Sequence, residues 1–246
     1  MKSFVPVAMV CLVSLASVSG ARADILSDSA RFDRSYIPTL ALTSQGDAAG
    51  SRAALARLKP AWHSFTQEHK RDRPGDLSWA QHFEQVAKQI EEADSLVAAG
   101  KLSEAHEALE QVRILLMELR HKHHIEYFPD LLTAFHEPME EIVLTVKGKT
   151  PATLTRAQRG TIKALLPELE RRWQAVLGAG FKPALFGFSP ERTAEAKELM
   201  ETENQAIARL KKALDTQGST ALLQSGMAIK PAFAKLYMLF GEFKTQ

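Results

Sequence analysis

Apolar residues recur along this chain at steps of three and four. Leu55, Leu58, Trp62 and Phe65 form one series, and Trp79, Phe83, Val86, Ile90, Ala93 and Val97 a second. Leu102, Ala105, Leu109, Val112, Leu116 and Leu119 form a third, and Phe128, Leu132, Phe135, Met139, Ile142 and Val146 a fourth. That spacing places each series on one face of a helix, and such a face must be buried against a neighbour. No comparable stretch alternates with the period of two that a half-buried strand requires. The pattern predicts an all-α fold built from antiparallel helical bundles.

Breaks in the pattern divide the chain. Arg73-Pro74-Gly75 ends the first helical region, and Gly100 leaves so short a turn that the flanking helices must form an antiparallel hairpin. Pro129 suits the first turn of the fourth helix, where a missing N–H is harmless. Residues 148–155 form a polar linker containing Pro151. Thr155-Arg156-Ala157-Gln158 then reads as a capping box, and Ser189-Pro190 as an N-cap followed by proline at the first helical position. The last helix carries Ile229, Phe233, Leu236, Phe240 and Phe243 at bundle spacing. The expected organisation is a leader over 1–23, an extended segment over 24–43, an up-down four-helix bundle over 44–147, the linker, and a second helical unit over 156–246. There is a faint internal echo between Leu58-Lys59-Pro60-Ala61-Trp62 and Ile229-Lys230-Pro231-Ala232-Phe233, with Leu166-Pro167-Glu168-Leu169 a weaker third copy.

The leader bears on compartment and charge. Lys2 precedes an apolar run from Phe4 to Val18, and Ala21-Arg22-Ala23 supplies the small-residue cleavage pattern of a secretory signal peptide. The run is shorter than the ~20 residues that span a bilayer. Cleavage after Ala23 into a periplasmic or secreted setting is expected, with no membrane span in the mature chain. It removes Lys2, Arg22 and no acid, so the 31 basic residues become 29, equal to the 29 acidic ones. A neutral chain gives no support to a nucleic-acid partner. Cys11, the one cysteine, leaves with the leader, which excludes disulfides, thiolate metal sites and covalent haem attachment from the mature chain.

The candidate chemistry is in the histidines. All 8 lie between His63 and His136, and none follows His136. In an up-down bundle over 44–147, His69, His82, His121, His123 and His124 converge at one end, and His63 and His136 share a deeper level. His136 has Met139 and Glu140 on the same helix face. Neutral imidazole suits copper, zinc or iron, and a thioether favours Cu(I). A transition-metal site at that end is one expectation. A solvated helix end is the plain alternative, since cations are favoured at a helix C-terminus.

The hairpin FEQVAKQIEEADSLVAAGKLSEAHEALEQV, Phe83 to Val112, resembles the last two helices of the cytochrome b562 family. The features in common are the Gln-Ile-Glu-Glu-Ala run, the Gly100-Lys101 turn, and the pairs Glu104-Ala105 and Glu110-Gln111. The resemblance implies an exported four-helix bundle and, in that family, non-covalent b-type haem. In this register the family's histidine position falls on Arg120, with His121 next, and residues 51–70 contain no methionine. The resemblance therefore carries architecture and export, but no ligand.

Two apolar segments invite a partner. The loop from Gly178 to Phe188 holds Phe181, Leu185, Phe186 and Phe188, although loops are ordinarily polar. It either folds over a bundle end or contacts an envelope protein, as exposed apolar patches do. Residues 36–42 ahead of the first stripe allow the same two readings. No nucleophile triad or phosphate loop is discernible, so the expected function is non-catalytic.

Overall fold

A computed structural model describes residues 24–216 and 218–243, and the leader lies outside them. Those residues form eight α-helices and one 3-10 turn, with no strand among them. The helices are α1 (Ile25–Ser44), α2 (Ala48–His69), α3 (Leu77–Ala98), α4 (Leu102–Lys122), α5 (Phe128–Val146), α6 (Arg156–Gly178), α7 (Pro190–Asp215) and α8 (Ser219–Met238). The 3-10 turn spans Pro183–Phe186. The all-α helical bundle class is as the periodicity predicted.

The grouping of the helices differs from the sequence reading. Helices α1 to α4 close one ring of contacts, α1 on α2, α2 on α3, α3 on α4 and α4 back on α1. Helices α5 to α8 close a second in the same order. The chain is thus two four-helix bundles in succession, and the turn over 147–155 lies inside the second. The segment over 24–43, expected to be extended, is α1 and completes the first bundle; the stripe over 128–146 is α5 and opens the second. The physical reason is in the composition of α1. It buries Phe32, Tyr36, Ile37 and Leu40 at helical spacing, but also Asp28, Ser29, Asp33, Thr39 and Thr43. Those polar positions, with Pro38 in their midst, hide the apolar stripe.

The caps are local and legible. Asp24, Asp47 and Asp76 each accept a main-chain N–H at the start of α1, α2 and α3. Thr155 and Gln158 make both bonds of the capping box at α6. Gly100 turns between α3 and α4 at φ +76, a left-handed conformation that glycine reaches without steric penalty.

Interior prolines mark matching places in the two bundles. Pro38 lies in α1 and Pro138 in α5; Pro60 lies in α2 and Pro167 in α6. The weaker echo at 166–169 therefore sits at the place matching Pro60, whereas the stronger one at 229–233 lies in α8, the fourth helix of its bundle. An interior proline deprives the carbonyl four residues earlier of its helical donor. In α1 that carbonyl, on Arg34, accepts the N–H of Glu242 at 2.9 Å. In α5 the carbonyl of Ala134 accepts from the Arg172 guanidinium on α6. Each replacement donor comes from another part of the chain, so the missing helical bond becomes a tertiary tie.

One apolar core runs continuously through both bundles. Where they meet, α1 packs on α2 and α4 on one side, and on the 3-10 turn and α8 on the other. The 178–189 segment folds over the end of the second bundle as an aromatic plug. Phe186 stands 4.7 Å from Phe240 and Phe181 4.8 Å from Phe128, measured between ring centroids.

Candidate functional site

The end of the first bundle gathers part of the expected histidine set. His69 closes α2 fully buried, its Nδ1 2.8 Å from Asp72 Oδ2 and its Nε2 2.8 Å from Asp28 Oδ2. Each ring nitrogen thus faces a carboxylate oxygen, one from the loop after α2 and one from α1. The main-chain carbonyl of His69 accepts the Trp79 indole N–H at 2.9 Å. Trp79 in turn carries His123 against its edge, with 5.0 Å between ring centroids. His69, Trp79 and His123 are thus one packed unit.

The other histidines do not join this unit. His82 places its Nδ1 2.7 Å from the Ser78 carbonyl. His123 has Nε2 3.6 Å from Asp76 Oδ2, buried and without a hydrogen bond. Burial, with Arg73 second, holds its imidazole below the ordinary range. His63 and His121 are exposed. His124 is exposed too and has φ +55. Its neighbour Ile125 donates to the Arg120 carbonyl at 2.9 Å, as in a helix stop closed by a left-handed residue. Among the described residues, no group of three histidine, cysteine or carboxylate side chains is placed to hold one ion.

The position matching the haem family's histidine does not fit that role. Arg120 is buried there and grips Asp130 by two bonds, Nε to Oδ2 at 2.8 Å and Nη2 to Oδ1 at 2.6 Å. A guanidinium has no lone pair to offer iron. Its planar face lies over the Tyr127 ring, 4.6 Å from the centroid.

Of the trio His136, Met139 and Glu140, the structure brings two together: His136 Nε2 stands 3.9 Å from Glu140 Oε2. Met139 is fully buried in the core. His136 lies instead on a polar seam between the bundles that the sequence reading missed. On α4, His106 approaches the Leu40 carbonyl through Nδ1 at 3.1 Å and Glu110 through Nε2 at 3.4 Å. Glu110 accepts from Arg113, which also donates to His136 Nδ1 at 2.7 Å. On the far side Glu140 pairs with Lys230 of α8 at 2.7 Å. The Arg113 guanidinium also faces the ring of Tyr237 at 5.5 Å. The chain of charges joins α4 of the first bundle to α5 and α8 of the second. Burial, then the Arg113 charge, pushes the His136 imidazole down to about 2, so it stays neutral and accepts. The available signal was the presence of Glu110 and Arg113 near an apolar stripe. It could not be read without knowing that α4 faces α5.

Two further acids are buried. Asp33 on α1 accepts the Tyr127 hydroxyl at 2.6 Å. Burial pushes its carboxyl up to about 7, against the pull of Arg120 and of that hydrogen bond. Glu203 on α7 is fully buried, and neither carboxyl oxygen has a hydrogen-bond partner. Burial pushes it up to about 8, with only the Phe233 main chain and Arg209 opposing. The second bundle thus buries a carboxyl group whose charged form is disfavoured.

The four residues expected to meet a partner line the plug. Phe186 is buried, and Phe181, Leu185 and Phe188 are half-buried against the core. Phe186 is therefore an internal contact, because the 3-10 turn directs it onto Phe240 and Tyr127. Compared with known families, characterised proteins and solved structures, the chain gives no match.

Proposed function

We propose that this is an exported, non-catalytic two-bundle protein that acts as an interaction scaffold in the cell envelope. The observation that carries this reading is the commitment of its reactive side chains to internal contacts. His69 Nε2, His136 Nδ1 and Arg113 Nη2 are spent on holding helices together, and His69 Nδ1 on the loop that follows its own helix. The large apolar side chains left exposed are separate ones on several helices, among them Leu77, Leu144 and Met227. Photo-crosslinkers at these three positions, in cells that export the chain, should trap a discrete envelope protein. No adduct at any of them would sink the scaffold reading. N-terminal sequencing of the exported form should begin at Asp24.

A second reading, transition-metal binding, has one feature in its favour. His123 Nε2 is buried without a hydrogen bond and stands 3.6 Å from Asp76 Oδ2, a spacing two ligands of one ion would adopt. His82 lies close enough for its charge to act on His123. Calorimetric titration with zinc and copper decides it: stoichiometric binding lost in His123→Ala supports the site, and no binding removes it.

A further inference from the structure

The buried cluster of charged groups where the two bundles meet is unbalanced. It holds two carboxyl groups, Asp33 and Asp130, and one guanidinium, Arg120. Arg120 gives both of its carboxylate-facing bonds to Asp130, and its remaining bond goes to Ser29 Oγ at 3.4 Å. Asp33 is left with a phenol, the Tyr127 hydroxyl, as its donor. A buried carboxylate without a counter-ion is strongly disfavoured, and the group takes up a proton instead.

The position of Asp33 gives that proton a structural consequence. α1 is the helix that both bundles hold. Next to Asp33, the Arg34 carbonyl receives the Glu242 N–H, and the Arg34 guanidinium reaches the Phe186 carbonyl at 3.4 Å. Tyr127 stands just ahead of α5 and packs on Phe186, 5.8 Å between centroids. The groups acting on Asp33 are Arg120 from α4, with Tyr127 and Asp130 from the start of α5. Tyr36 of α1 and Tyr237 of α8 feel its charge in turn. α2 and the plug contribute rings, Phe65 beside Phe32 at 6.0 Å and Phe186 beside Tyr127.

We propose that Asp33 is a protonation-controlled latch for the junction between the bundles. As the neutral acid it holds α1 against Tyr127 and the plug. When its proton passes to solvent, an unbalanced negative charge is buried at the junction, and the hold of the second bundle on α1 loosens.

The sign follows from linkage. An opened junction hydrates Asp33 and lets it ionise from its ordinary value of 3.8, whereas the closed junction delays ionisation to about 7. Closure therefore weakens as pH rises through that window and levels off above it. Glu203 drifts in the same direction, so the readout must be local. The test is hydrogen exchange of the full chain at the Glu242 and Phe188 amides, corrected for the intrinsic rate. Protection should fall at least about tenfold between about pH 5 and about pH 7 and then level. Asp33→Asn should remove the slope, and Glu203→Gln should leave it at these two amides. Tyr127→Phe, which deletes the donor favouring the carboxylate, should move the plateau to higher pH. A flat profile in the unaltered protein, or a slope that persists in Asp33→Asn, overturns the latch.

Discussion

The carbonyl of Arg34, released from its helix by Pro38, accepts the main-chain N–H of Glu242 at 2.9 Å. A proline that weakens α1 locally thus fixes the C-terminal segment onto it. In Pro38→Ala the restored residue-38 N–H competes for that carbonyl. Protection of the Glu242 amide should fall about five- to tenfold, the worth of one hydrogen bond. Unchanged exchange at Glu242 would show that the tie is incidental.

Gly241 touches the same place. A Cβ there would meet Pro38 Cδ at 2.9 Å and Ile37 Cγ2 at 3.0 Å. Both neighbours belong to a buried helix with little room to yield. Gly241→Ala should lower unfolding free energy by about 1–3 kcal/mol in urea melts, the usual effect of overpacking.

Arg113 and His136 form the central contact of the seam. His136 is held neutral at about 2, far below its ordinary 6.5. The unfolded chain therefore takes up a proton below about pH 6.5 that the folded chain refuses, and stability falls as pH drops through that range. His136→Gln should flatten this acid limb. In Arg113→Met, NMR titration should show the His136 ring protonating at a higher pH than in the parent, because a neighbouring cation has gone. An unmoved ring would disprove the coupling.

Glu203 acts with the opposite sign. Its folded value of about 8 lies above the ordinary 4.5, so stability is full at low pH and declines as pH rises between the two. At pH 7 the penalty is about 3 kcal/mol. Glu203→Gln should recover most of it at pH 7 and little at pH 4. Equal gains at both pH values would mean that charge is not the cause.

Phe186 is a core side chain of the plug. Phe186→Ser should destabilise the chain by about 3–5 kcal/mol, as large-to-small aromatic changes do in cores. If stability held and only partner adducts weakened, the plug would be a docking surface after all.

The helices from Leu55 to Val146 were legible because an amphipathic stripe is a local property. The caps at Thr155 and Ser189 were legible for the same reason. Helix α1 was missed because Asp28, Asp33 and Thr39 look solvated until their buried partners are known. The fold-back of the aromatic loop was one of two readings, and only its rings' contacts with Phe240 and Phe128 selected it.

The histidine distribution shows the same division. The sequence brought His69, His82 and His123 to one end of the first bundle, since turn lengths and helical rise fix levels along a hairpin. It could not say where their nitrogens point, which depends on carboxylates from α1 and from the loop after α2. Nor could it give the seam from His106 through Arg113 and His136 to Lys230, whose members come from three helices. The sequence by itself determined the helical class, the helix ends and the eight-to-none histidine split, because backbone hydrogen bonding and apolar periodicity act between near neighbours. Only the tertiary structure decided which four helices share a core and which buried charges have partners, because burial and Coulomb energy depend on distances between residues far apart in the chain.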